Sequence, residues 1–192
     1  MKPFKKLIPN IFILTEGETE KIYFNHLKER GCNYSLHIQV FGGNDPLKMV
    51  KRCNEIFKNR SMSRRMGDHA FCVMDVDYCD TDEFRKAYDY AERNGIRIVL
   101  SNPCFEVFFL LHFTDSIPDL TSREMKNEVS EYISGYRETG DYWYLLLGKQ
   151  EIALKRSRSF ILDAESKDRK VLGTNIWEIF DLTNDLKNGS AD

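Results

Sequence analysis

Two acidic groups, far apart in the chain, each stand at the end of an apolar run. Ile11-Phe12-Ile13-Leu14 leads into Thr15-Glu16-Gly17-Glu18-Thr19-Glu20, and Phe71-Cys72-Val73-Met74 leads into Asp75-Val76-Asp77. In open α/β sheets ligands bind beyond the carboxyl ends of neighbouring strands, so two buried strands ending in this way would set their acids side by side. Carboxylates so crowded need a cation. An all-oxygen donor set suits Mg²⁺ or Mn²⁺, which takes a few carboxylates together with water and phosphate oxygens. Strand alternation would point Asp75 and Asp77 the same way, with Val76 toward the core. The expectation is a divalent-cation site of Glu16, Asp75 and Asp77 that serves phosphodiester chemistry. A plainer reading stands beside it: Asp-x-Asp is also turn and cap chemistry at a strand end, and Thr15-x-x-Glu18 matches a helix capping box. Neither accounts for Glu16.

Glu106 lies inside the apolar run Phe105 to Phe113, where a carboxylate needs a partner or a cation. It could be a further site acid or a structural acid in the first turn of a helix. His112 reads as a core or partner-facing histidine rather than a base. Two basic patches could meet a phosphate backbone: Arg64 and Arg65 in the stretch before the second acidic strand, and Lys155, Arg156 and Arg158 further on. Each is equally a solvated face. Tyr142, Trp143 and Tyr144 could stack on bases, although core packing explains them as well.

The elements that must hold these residues alternate. Asn10 to Leu14 reads as a buried strand, Glu18 to Arg30 as an amphipathic helix stopped by Gly31, and Ser35 to Phe41 as a half-buried strand near a sheet edge. Pro46 opens a helix after the turn Gly42 to Asp45, and Lys58 to Asp68 reads as a loop. Ala70 to Asp75 is the central strand. A helix over Thr81 to Asn94 ends at Gly95, a strand covers Ile96 to Leu100, and a buried helix starts at Pro103, with Asn102 as its cap. This predicts an α/β fold: a mostly parallel sheet with helices on both faces over residues 1–115. Beyond it only helical periodicity remains, roughly Ser122 to Gly135, Gly148 to Ala164 and Thr174 to Lys187. That defines a helical extension over 116–192, packed on the core.

The chain has 192 residues, enough for one sizeable core, and 42% hydrophobic with 30% charged residues is a globular composition. A net charge of −2 excludes indiscriminate nucleic-acid binding by a global field. Five cysteines without a CxxC pair fit reduced thiols in a cytoplasmic protein better than disulfides or a zinc site. The basic start is broken by Pro9 and Asn10 without a small-residue cleavage site, and no apolar stretch is long enough to cross a membrane.

A strand ending in Glu16-Gly17 and a later one ending in Asp75-x-Asp77 resemble the Toprim domain of topoisomerases, primases and OLD-type nucleases. The run Leu14 to Glu20 with Tyr23-Phe24, then Asp75-Val76-Asp77, then Ser101-Asn102-Pro103-Cys104-Phe105-Glu106 through Leu111-His112-Phe113 is more closely similar to the RloB family of restriction-linked and phage-defence proteins. The resemblance covers about residues 8 to 113, and Ser-Asn-Pro-x-Phe-Glu is its most specific part. It implies a Toprim-like fold with Glu16, Asp75 and Asp77 as metal ligands and Glu20 as the acid of a possible second metal. Val76 stands where some relatives carry an aromatic or basic residue. The activity implied is a Mg²⁺- or Mn²⁺-dependent nuclease acting on DNA or RNA. The other function implied is a non-catalytic interaction subunit of an AAA or ABC-type ATPase partner. Nucleotidyl transfer at the same acids is weaker, because no P-loop is present.

Overall fold

The computed structural model describes residues 8–28, 32–76, 81–159 and 172–188. In chain order the elements are β1 (Asn10–Thr15), α1 (Glu18–Asn25), β2 (Ser35–Val40), α2 (Pro46–Asn59), β3 (His69–Asp75), α3 (Thr81–Arg93), β4 (Arg97–Asn102), α4 (Glu106–Leu111), α5 (Ser122–Tyr132), α6 (Trp143–Leu146), α7 (Gln150–Ser157), β5 (Gly173–Thr174) and α8 (Trp177–Asn188). The five strands form one sheet in the order β2-β1-β3-β4-β5, parallel throughout except for the β4–β5 pair. The α/β architecture read from the sequence is therefore the one observed.

Period-two alternation sends the apolar residues of each inner strand to two separate cores. Phe12 and Leu14 of β1, Cys72 and Met74 of β3 and Ile98 and Leu100 of β4 face α2 and α3. Ile11, Ile13, Phe71, Val73 and Val99 face the other way, against α1, α4 and the helices after residue 115. Those later helices supply Met125, Val129, Ile179 and Phe180 to this second core, and β5 adds two residues to the sheet edge. Continuing the alternation by one step places Thr15 and Asp75 on the α1 and α4 side. The parity of Phe71 and Val73 thus aims the carboxyl end of β3 at the acids of those two helices.

Several boundaries differ from expectation. Thr15 does not cap α1: it ends β1, its hydroxyl donates to Gly17 O at 2.9 Å, and Gly17 is the N-cap without a side-chain bond. The helix expected to reach Arg30 ends at Asn25, where the backbone passes into i→i+3 turns, Leu27 N donating to Phe24 O and Lys28 N to Asn25 O, and Gly31 lies outside the described residues. The helix expected from Pro103 starts at Glu106 instead, and Asn102 is the last residue of β4 rather than its cap. A residue before proline is driven to extended backbone, which lengthens the strand. Turn bonds from Val107 N to Cys104 O and from Phe108 N to Phe105 O then lead into α4. Gly173–Thr174, read as the edge of a helix, is a strand, because Ser101 and Asn102 pair with it. Asp45 and Pro46 open α2 as expected, with Asp45 accepting from Lys48 N at 2.9 Å, and Gly95 follows α3 at φ +61°.

Candidate active site

Glu16 sits directly after β1, where its N–H donates to Val73 O at 3.0 Å and its Oε2 accepts the Asp75 N–H at 3.1 Å. The carboxyl ends of β1 and β3 are thereby joined through the glutamate side chain itself. Burial outweighs this bond and pushes the Glu16 carboxyl above its ordinary range. Glu20 enters from the first turn of α1, only 3% exposed. Its carboxylate comes so close to the turn that a Cβ on residue 17 would lie 3.0 Å from its Oε2, and any larger residue there would push the carboxylate aside by a few tenths of an ångström. Burial, then the charges of Glu106 and Glu16, push Glu20 up to about 7. Asp75 ends β3 half-buried, and burial followed by Glu20, Glu16 and Glu106 holds its carboxyl well above the usual range.

Glu106, the first residue of α4, completes the group at 3% exposure. Its Oε1 accepts from the Tyr136 hydroxyl at 2.7 Å, across the core from the loop after α5. Tyr136→Phe would leave a buried carboxylate without that donor, a loss of about 1–3 kcal/mol. Urea unfolding is expected to show the lower midpoint; an unchanged midpoint would mean the bond is not formed.

These acids face one cleft of about 360 Å³, lined by six carboxylates and one ammonium, that of Lys126. Lys126 Nζ pairs with Glu138 Oε1 at 2.7 Å, and the Glu138 carbonyl accepts from Thr19 Oγ1 at 2.6 Å. Nothing in the sequence marks Lys126, Tyr136 and Glu138 as site residues. They come from a helix face and a loop with no motif, and only tertiary folding brings them beside Glu106.

Of the expected site residues, Glu16, Glu20, Asp75 and Glu106 come together, while Asp77 lies outside the described residues. Arg64 and Arg65 precede β3, at the opposite end of the sheet. Arg64 Nε donates to Gly95 O at 3.0 Å, and its guanidinium lies 4.4 Å from the Phe57 ring centroid. Lys155 is exposed on α7, Arg156 Nη1 donates to Leu111 O at 2.7 Å, and Arg158 pairs with Asp181 beside Trp177. None of these five lines the acidic cleft. Trp143 stacks on His26 and Tyr142 packs on Tyr136, so both serve the core, whereas Tyr144 is 74% exposed. His112 is a core residue, as expected: its Nδ1–H donates to Phe108 O at 2.8 Å, and burial pushes its pKa down to about 4.

The donor set is all carboxylate oxygen, which fits Mg²⁺ or Mn²⁺ rather than a soft metal. Among the described residues no three His, Cys, Asp or Glu side chains already form a ligand cage. The fit lies in donor chemistry and in buried acids whose charge requires compensation. Among the described residues no helix is long and apolar enough to cross a membrane.

Fold and cleft together define a class: an α/β protein with an acidic cleft beyond the carboxyl ends of parallel strands. Residues 11–182 match the family model of the RloB-like protein, and the chain belongs to that family. Comparison with curated proteins and with solved structures finds no match.

Proposed function

We propose that this RloB-like protein is a Mg²⁺- or Mn²⁺-dependent phosphodiesterase acting on DNA or RNA, an effector in a restriction-linked or phage-defence setting. The observation that carries this reading is the convergence of Glu16, Glu20, Asp75 and Glu106 on one cleft. Glu16, Glu20 and Asp75 would hold the cation, with Asp77 as a further ligand. A divalent ion bound there supplies charge neutralisation, polarisation of a phosphoryl oxygen and a lowered pKa for water.

The chain's own residues prepare the site. The Asp75 N–H orients Glu16, so that one ligand is fixed by backbone rather than by a mobile side chain. Gly17 leaves room for Glu20 to approach. Phe105 gives the cleft one apolar wall beside the carboxylates. Incubation with plasmid, single strands and tRNA is expected to give cleavage with Mn²⁺ and none after chelation. Absence of cleavage on every substrate, with the ATPase partner present as well as without it, would contradict the proposal.

Exposed Tyr144 and Leu147, at 74% and 62%, favour a second reading, in which the C-terminal helices dock an AAA or ABC-type ATPase and the acids serve no chemistry. Binding to that partner would then survive Glu16→Ala.

A further inference from the structure

We propose that Lys126 is the phosphate-binding residue of the cleft and that Glu138 holds its place until substrate arrives. The inference rests on the phosphodiesterase reading above and adds the group that receives the substrate anion.

Among the described residues, Lys126 is the one basic side chain lining the cleft. Its base is rigid, because neighbouring Met125 and Val129 anchor α5 in the core at 0% exposure. Its side chain is 34% exposed, open to the cleft yet partly shielded, and its positive charge is felt at Asp75. Glu138, by contrast, is 60% exposed and tethered through its backbone carbonyl to Thr19. The carboxylate can therefore swing into solvent while the loop stays where it is. Ion pairs of this exposure are weak, so a phosphate can displace one at small cost.

A cation among the acids neutralises the acids, and a phosphodiester brings a further negative charge that must be met from the other side. Lys126 meets it with a compact ammonium that donates to a non-bridging oxygen. It forms no covalent bond and gives up no proton. In hydrolysis the P–O bond to the leaving group breaks as one to the water oxygen forms, and the proton lost by water reaches the leaving oxygen through solvent.

The test follows cleavage of bis(p-nitrophenyl) phosphate with Mn²⁺, alongside calorimetric Mn²⁺ titration of the same samples. Lys126→Met is expected to lose about a hundredfold in kcat/KM while binding Mn²⁺ as well as wild type or better. Lys126→Arg should recover part of the rate. Glu138→Gln, which frees the ammonium, should lower KM by up to about fivefold. Lys126→Met cleaving like wild type would overturn the proposal, and so would loss of Mn²⁺ binding in that variant, since the lysine would then support the acids. Wild-type protein that binds Mn²⁺ and cleaves nothing would instead remove the phosphodiesterase reading itself.

Discussion

Glu20→Gln is expected to stabilise the cation-free protein above pH 7 by on the order of 3 kcal/mol. The folded protein keeps a proton on Glu20 up to about 7, whereas the unfolded chain releases it near 4.5. Between those values the folded state binds more protons, so raising the pH favours unfolding, and the penalty is complete once the pH passes the folded value. A rise from 4.5 to about 7, at about 1.4 kcal/mol per unit, gives the stated size. Glutamine keeps the shape and an acceptor for the Gly17 N–H but carries no charge. Thermal or urea unfolding across this window should show wild type losing stability toward neutral pH more steeply than the variant, in which burial of Glu16 and Asp75 still opposes their charge. Saturating Mn²⁺ should restore wild type by roughly 3 kcal/mol at a hundred times its dissociation constant and should do much less for the variant. Equal pH profiles for the two proteins would mean that Glu20 does not carry the strain of the cleft.

Asp75→Ala is expected to lower Mn²⁺-dependent cleavage about a thousandfold, the upper end of what removing one charge-stabilising group costs. The substitution is clean because the contact that places Glu16 comes from the Asp75 backbone N–H, which alanine retains. The strand end and the neighbouring ligand stay in position, so the lost rate reports the missing carboxylate. The variant should also unfold at a higher temperature without cation, because burial and three neighbouring acids oppose the Asp75 charge. Cleavage at the wild-type rate would place the chemistry elsewhere.

The parallel sheet was legible because β1 and β3 are apolar on both faces, as strands covered by helices must be. Glu16 and Asp75 were legible for the same reason: acids at the ends of such strands stand out. Less visible was the side on which Asp75 lies, although Phe71 and Val73 share its parity. Thr15 was misread because a capping box is a local pattern, and the backbone turn at Gly17 claimed its hydroxyl first. Pro103 suits a helix's first turn in isolation, yet Asn102 is held in β4 by its pairing with Gly173, beside Ser101, which pairs with Asp75 on one side and Thr174 on the other. Two-residue β5 has no periodicity to detect. Lys126, Tyr136 and Glu138 lie on ordinary helix and loop sequence, and their place at the cleft follows from how α5 docks against α4.

The proposed function requires a divalent cation as the natural partner of Glu16, Glu20 and Asp75, and calorimetric Mn²⁺ titration of wild type beside Asp75→Ala tests this most directly. Wild type should bind, more tightly as the pH rises toward 7 and the acids release their protons, and Asp75→Ala should bind at least about tenfold more weakly. Titration curves that coincide, or no heat from either protein, would contradict it.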